Sequence, residues 1–484
     1  MPATATTPAP TRRSIATPTS TTNVENTIEE TIAADNTINI AIAQTATNLS
    51  DNVVSVTPAN QLQQRDIAIA SRDGIQRLLD EGDLQQAVEI GDRLLSEEFA
   101  VYLDQTLPQQ PLSLERIQHK LAEMNANTGS NAALLYLFSG PKQLDLIVVS
   151  ATGEIVYKSV PEADRETLMA EIKRLQEKIA NPIRRQSTRY LPAAQQLYQW
   201  LIAPIEADLE ARNIDTLMLS LDSGLRSLPI ASLYDGEKFL AEKYQFSLVP
   251  SLSLTNTGHR NIQETSVLAM GVSEFTDQSP LPAVPVEVNA IAEKLWQGQA
   301  FLNQDLTLEN LNKQRSQDNY GIIHLATHGQ FEPGAIANSY IQLWDNKLRL
   351  NKMGELDWKN PPVQLLVLSA CRTALGDPSA EFGFAGLAVQ SGAQSAIASL
   401  WYSSDIGTLG LMAEFYHHLK TEPTKAAALR RAQTAFIRGE VQLKDGQLIG
   451  NFGAIDLPPD LDRDVQLHLK HPYYWSGFTT IGSP

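Results

Sequence analysis

The 484-residue chain has one cysteine, Cys371. An intramolecular disulfide is therefore impossible, and a four-cysteine zinc site is excluded. Long apolar runs are missing as well: no stretch approaches the ~18 uninterrupted apolar residues of a membrane span. No block of like charges suggests a basic arm or an acidic tail. Basic residues are in deficit, 38 Lys and Arg against 55 Asp and Glu, for a net charge of −17. A chain of that sign repels a phosphate backbone, so nucleic acid is not an expected partner. HExxH, the GxSxG elbow and the Walker A loop are all absent, and GFAGLA lacks the spacing of a dinucleotide fingerprint. No metal and no cofactor is called for. The opening MPATATTPAPTRRS has no apolar h-region, and only its Ser, Thr and Arg content suits a transit peptide. A cytoplasmic protein is the expectation.

What the chain does contain is enough apolar material, 43%, for a sizeable core, at a length that suits two or three domains. Residues 1–60 are rich in Thr, Pro, Ser and Asn and are expected to form a disordered tail. Residues 61–106 carry helical periodicity. Ile75, Leu78 and Leu79 make one stripe, Gly82 breaks it, and Asp83 can cap a second helix bearing Leu84, Ala87, Val88 and Leu94. This hairpin resembles one tetratricopeptide unit, but no second copy follows, and two ordinary packing helices are the favoured reading.

Two α/β series come next. AALLYLF (132–138), LDLIVVS (144–150) and EIVYKSV (154–160) read as strands, 163–179 and 193–212 as helices, and TLMLSL (216–221) as a buried strand. RSLPIASL and FSLVPSLSL read as short extended pieces. The second series runs SVLAMGV (266–272), a helix at 286–296, GIIHLATH (321–328), VQLLVLSAC (363–371), a helix at 384–391, AIASLW (396–401), and helices at 405–420 and 424–438. Apolar runs without alternation imply strands buried on both faces, hence mostly parallel sheets.

Two of these strands end in reactive residue types: His328, followed by Gly329, and Cys371. Ligand sites in open α/β sheets lie outside the carboxyl ends of the strands, so both candidates face one edge. A free thiol has a pKa of about 8.5 and needs a neighbouring base to be nucleophilic at neutral pH. An imidazole supplies that base, and the backbone N–H groups of Gly329 and Cys371 are candidate oxyanion donors, each worth about 3–4 kcal/mol. Taken alone, a cysteine is more often a small buried hydrophobe, and a strand-end histidine more often structural. His324 and His328 as a metal pair would stand ~13 Å apart along a strand.

The segments HLATHG, VLSACRTALG, EFGFAGLAVQSGAQSAIASLW, LMAEFYHHL, AALRRAQ and HPYYWSGFTTIG, with GLRSLPIASLYDGEKFLAEKY upstream, resemble the CHAT domain over roughly residues 110–482. This is a caspase-like (clan CD) cysteine peptidase domain widespread in bacteria, and the likeness is to a cyanobacterial type. The resemblance implies a caspase-like three-layer α/β fold with mostly parallel sheets in two related halves. Residues 107–250 would be a pseudo-half and 251–484 the catalytic half. It also implies His328 as base, Cys371 as nucleophile and Gly329 as oxyanion donor in a peptidase acting on a protein or peptide substrate. The N-terminal helices would recruit a regulatory protein. The caspase signature Q-A-C-[RQG]-G is met in part, as Ser369-Ala370-Cys371-Arg372-Thr373. Ser369 stands where metacaspase-like relatives carry an acid that pairs with a basic side chain, which leaves the cleaved bond open. Glu381 and Asp405 are further candidates for a substrate pocket, and a packing role suits each. Arg372 would favour a thiolate electrostatically. The readings from other classes are a non-catalytic interaction module on the same fold and a thiol hydrolase or transferase that is not a peptidase.

Overall fold

The computed structural model describes residues 72–103, 112–258, 260–356, 358–373, 375–459, 461 and 467–484. The expected tail at 1–60 and the first residues of the expected hairpin lie outside them. The hairpin itself is α1 (Arg72–Glu81) and α2 (Leu84–Leu103). Gly82 takes φ 79° at the turn, where a Cβ would be strained. The Asp83 carboxylate accepts from the Gln86 N–H and starts α2.

Five strands follow in the first series: β1 (Ala132–Ser139), β2 (Leu144–Ser150), β3 (Val156–Val160), β4 (Thr216–Leu221) and β5 (Gln245–Val249). The helices of this stretch are α3 (Leu114–Thr128), α4 (Arg165–Ile179), α5 (Leu191–Leu201), α6 (Ala203–Ala211) and α7 (Leu240–Lys243). The single helix expected at 193–212 is two, broken at Ile202 just before Pro204, because proline supplies no N–H to the ladder. RSLPIASL is turn and one 3₁₀ turn (Ile230–Ser232) rather than extended chain.

The second series has β6 (Ser266–Gly271), β7 (Gly298–Leu302), β8 (Tyr320–Phe331), β9 (Tyr340–Gln342), β10 (Lys347–Arg349), β11 (Leu365–Thr373) and β12 (Ser395–Ser399). Its helices are α8 (Val284–Ala290), α9 (Leu308–Gln317), α10 (Pro378–Ala385), α11 (Leu387–Ser391), α12 (Asp405–Leu419) and α13 (Lys425–Arg438). A small separate meander, β13 (Gln442–Lys444), β14 (Gln447–Gly450) and β15 (Gly453–Asp456), precedes the last strand, β16 (Phe478–Gly482).

All strands but the meander join one sheet, ordered β10-β9-β8-β11-β12-β16-β5-β4-β1-β2-β3, with β6 on β8 and β7 on β6. The central pairs β6/β8, β8/β11, β11/β12 and β4/β5 are parallel. β1, β2, β4, β5, β12 and β16 are buried at every position, as strands covered on both faces must be. The fold class expected from the sequence, α/β with a mostly parallel sheet between helical layers, is the one observed. β16 unites the two series: it runs antiparallel to β12 and parallel to β5.

Candidate active site

β8 and β11 are parallel neighbours, so the expected strand-end residues come together at one edge of the sheet. Their register is regular from Leu365↔Ile322 to Leu368↔Leu325 and then shifts. Beyond the shift Ala370 lies opposite His328, and Cys371 opposite Gly329. Side chains alternate faces along a strand, and directly paired residues share a face. The His328 ring and the Cys371 thiol therefore leave the sheet on opposite faces.

The surroundings of each group agree. On one face, the half-buried His328 ring lies between Phe275, 4.6 Å away between ring centres, and Tyr402, at 5.9 Å. Its Nε2–H donates to the Ser279 carbonyl at 2.9 Å. A carbonyl only accepts, so the neutral ring carries its proton on Nε2 and its lone pair on Nδ1. Burial lowers the His328 pKa, and the Ser279 carbonyl offsets this only in part. The ring is thus a neutral base at pH 7.

Cys371 is fully buried on the other face. A Cβ on Gly329 would stand 2.6 Å from its Sγ, so the glycine leaves the space that the sulfur fills. Phe331, two residues on and on the same face as Gly329, packs its ring against Phe384 of α10. Burial pushes the Cys371 thiol pKa far up, and no charged neighbour counters it. Arg372, expected to favour a thiolate, is exposed.

Ser369 and Asp405 line one small pocket of about 10 Å³, room for about one water, with Ala370, Tyr402, Thr408, Leu281, Ala283, Val284 and Glu287. Tyr402 of its lining is the residue whose ring lies 5.9 Å from that of His328. The Ser369 hydroxyl is buried without a hydrogen-bond partner. Tyr402 donates its hydroxyl proton to Asp405. Burial, with some help from the Glu287 charge, moves the Asp405 carboxyl up to about 6 against a backbone hydrogen bond from Ala283.

Glu381, a candidate for a substrate pocket or for packing, is fully buried in α10 and reaches the loop after β4. Its carboxylate accepts from the Gly224 N–H at 2.9 Å and from the Ser227 hydroxyl. Burial raises its pKa despite those donors.

Three residues that hold the histidine, Phe275, Ser279 and Tyr402, were missed in the sequence. Each follows a strand at the same carboxyl edge, so strand-end topology was the signal that could have found them. His324 is no metal ligand here: its ring nitrogens meet Tyr416 Oη at 3.1 Å and Glu287 Oε1 at 2.9 Å. Among the described residues no group of three or more His, Cys, Asp or Glu could hold a metal ion.

A histidine and a cysteine thus stand on adjacent parallel strands, at the carboxyl edge of the sheet of a layered α/β protein. The family model described as the CHAT domain matches residues 191–483, and the chain belongs to that family. Among solved structures it is similar to the Saccharomyces cerevisiae separase–securin complex, at 11% identity and a TM-score of 0.45. The match covers 91% of this chain and 35% of that one. It is also similar to the Arg-specific cysteine proteinase gingipain R, at 12% identity and a TM-score of 0.37, over 64% of this chain and 69% of that one. A comparison with curated proteins finds no match. Among the described residues no helix is long and apolar enough to cross a membrane.

Proposed function

We propose that the chain is a cysteine endopeptidase that cleaves a protein partner through His328 and Cys371. The observation that carries this reading is the pairing of β8 with β11, which sets the two residues at neighbouring positions of one sheet edge. The tautomer of His328 leaves Nδ1 free; it takes the thiol proton once the Cys371 side chain, which leaves the sheet on the opposite face, is brought to the face of the ring. The thiolate then attacks the scissile carbonyl carbon. The N–H groups of Gly329 and Cys371 stabilise the oxyanion. As the C–N bond breaks, His328 returns the proton to the leaving amine, and water hydrolyses the thioester. Ser369 and Asp405 line the pocket beside the ring and contact the substrate side chain. A protein that docks on the α1–α2 hairpin regulates the enzyme. A reducing compartment such as the cytoplasm keeps the lone thiol available.

An electrophilic peptide probe tests the dyad. The expected result is labelling of wild type at Cys371 and none of His328→Ala. Equal, slow labelling of both refutes it. One observation favours the second reading, a non-catalytic interaction module: the thiol is fully buried. Cleavage-site profiling of wild type against Cys371→Ala separates the two, since a module leaves no new termini.

A further inference from the structure

The register shift between β8 and β11 falls at the candidate site. Up to Leu368↔Leu325 each β11 residue faces the β8 residue 43 positions earlier; from Ala370↔His328 onward the spacing is 42. His328 and Cys371 are themselves 43 apart in sequence. Were the first register continued to the strand end, Cys371 would lie directly opposite His328. A slip of one residue moves a side chain to the other face, which here is the face of the His328 ring.

The shifted end is held from outside the sheet. β11 runs into α10, whose Phe382 packs against two aromatic rings of the hairpin helix α2, Phe99 at 4.8 Å and Tyr102 at 5.3 Å. The Arg226 guanidinium lies over both Phe382 (4.2 Å) and Phe99 (4.8 Å), and bonds Glu98 of α2 at 3.1 Å. Glu381, next in the chain, is tied to Gly224 and Ser227. Hairpin, β4 loop and α10 thus form one clamp on the segment that follows the cysteine.

We propose that this arrangement is a latent register of β11, held by the hairpin, and that freeing α10 lets residues 369–373 slip by one position to bring Cys371 opposite His328. The proposal rests on the peptidase reading for its purpose, but not for its test. Because Cys371 is the sole cysteine, any small thiol reagent reports on it alone. The rate of alkylation of the full chain is measured at about pH 9, where an exposed thiol ionises without a partner. Wild type is expected to react at least about 100-fold more slowly than the chain in urea, at a rate independent of urea below the unfolding transition. Phe382→Ala, and the milder Phe382→Leu, loosen the clamp. Gly329→Ala acts from the sheet side, by crowding the sulfur out of its latent position. Each is expected to raise the rate about tenfold or more at urea concentrations well below its own unfolding transition. A wild-type thiol that reacts as fast as in the unfolded chain overturns the proposal. So do folded variants, from both sides, that react no faster than wild type. Peptide-probe labelling is read in parallel. Accelerated alkylation with an inert peptide probe in every released variant sinks the peptidase reading and leaves the latch. An open wild-type thiol that takes the probe sinks the latch and leaves the peptidase.

Discussion

Replacing Asp222 by asparagine probes the ionic node beneath the hairpin. Asp222 follows β4 and is fully buried. Its carboxylate accepts from Arg72 Nε at 3.1 Å, from the Ser139 N–H and hydroxyl at 3.2 and 3.0 Å, and from the Ser223 N–H at 2.8 Å, with Arg165 at 3.6 Å. Burial alone would raise its pKa. The charge and hydrogen bonds of Arg72, with Arg165 and Arg226, outweigh that and hold it at about 2, against an ordinary 3.8. The folded pKa lies below the unfolded one. The carboxylate therefore contributes its full stabilisation above about pH 4 and loses it as pH falls toward 2. The difference corresponds to about 2.5 kcal/mol at 1.36 kcal/mol per pKa unit. At neutral pH Asp222→Asn should cost about 3 kcal/mol, the low end for breaking a buried pair, because Arg72 and Arg165 are partly exposed and can turn to water. Urea unfolding at pH 7 and through pH 5 to 2 measures both quantities. The gap between wild type and variant should narrow by about 2.5 kcal/mol on acidification. A variant as stable as wild type at pH 7, or a gap that does not narrow, refutes the account.

His471 gives a second acid-sensitive element. Burial lowers its pKa to about 4, with the Ser187 carbonyl opposing in part, so the folded state resists a proton that the unfolded state accepts near 6.5. Its contribution is complete above pH 6.5 and falls by about 3 kcal/mol as pH drops to 4; His471→Gln should flatten that part of the urea-midpoint profile. Gly298 lies where a Cβ would stand 1.8 Å from the Val267 carbonyl oxygen on β6. Gly298→Ala must push two backbones apart, and a thermal-melt loss equivalent to about 3 kcal/mol is expected, the upper range for overpacking. Tyr402→Phe keeps the ring against His328 but removes the donor to Asp405; alkylation of Cys371 should be unchanged, while the pH at which Asp405 titrates should rise, readable by carboxyl NMR.

Uninterrupted apolar runs made the strands legible: TLMLSL and LDLIVVS coincide with β4 and β2 at both ends. The same feature hid the register. Leu365 to Cys371 and Tyr320 to Thr327 are buried at every position, so no alternation of polar and apolar residues marks which face either strand presents. Sequence could bring His328 and Cys371 to one edge but not say that they leave it on opposite sides. The surroundings of Glu381 were hidden for a related reason. Its partners, Gly224 and Ser227, lie 157 and 154 residues away, and nothing near Glu381 in the chain announces them. β16 escaped because FTTIG is too short and too Thr-rich to stand out until its two neighbours are known.

That last strand has a consequence for how the protein is made. The Ser247 hydroxyl on β5 bonds the Gly482 carbonyl across 235 residues, and β12 and β5 are joined only through β16 among the described residues. While the chain is being synthesised, two five-residue sheet edges, β5 and β12, wait unpaired for residues 478–482 to emerge. Such edges template aggregation, and contacts this distant form slowly. A nascent chain halted before residue 478 would display both edges at once, which makes the arrival of β16 the step that joins the two series into one sheet.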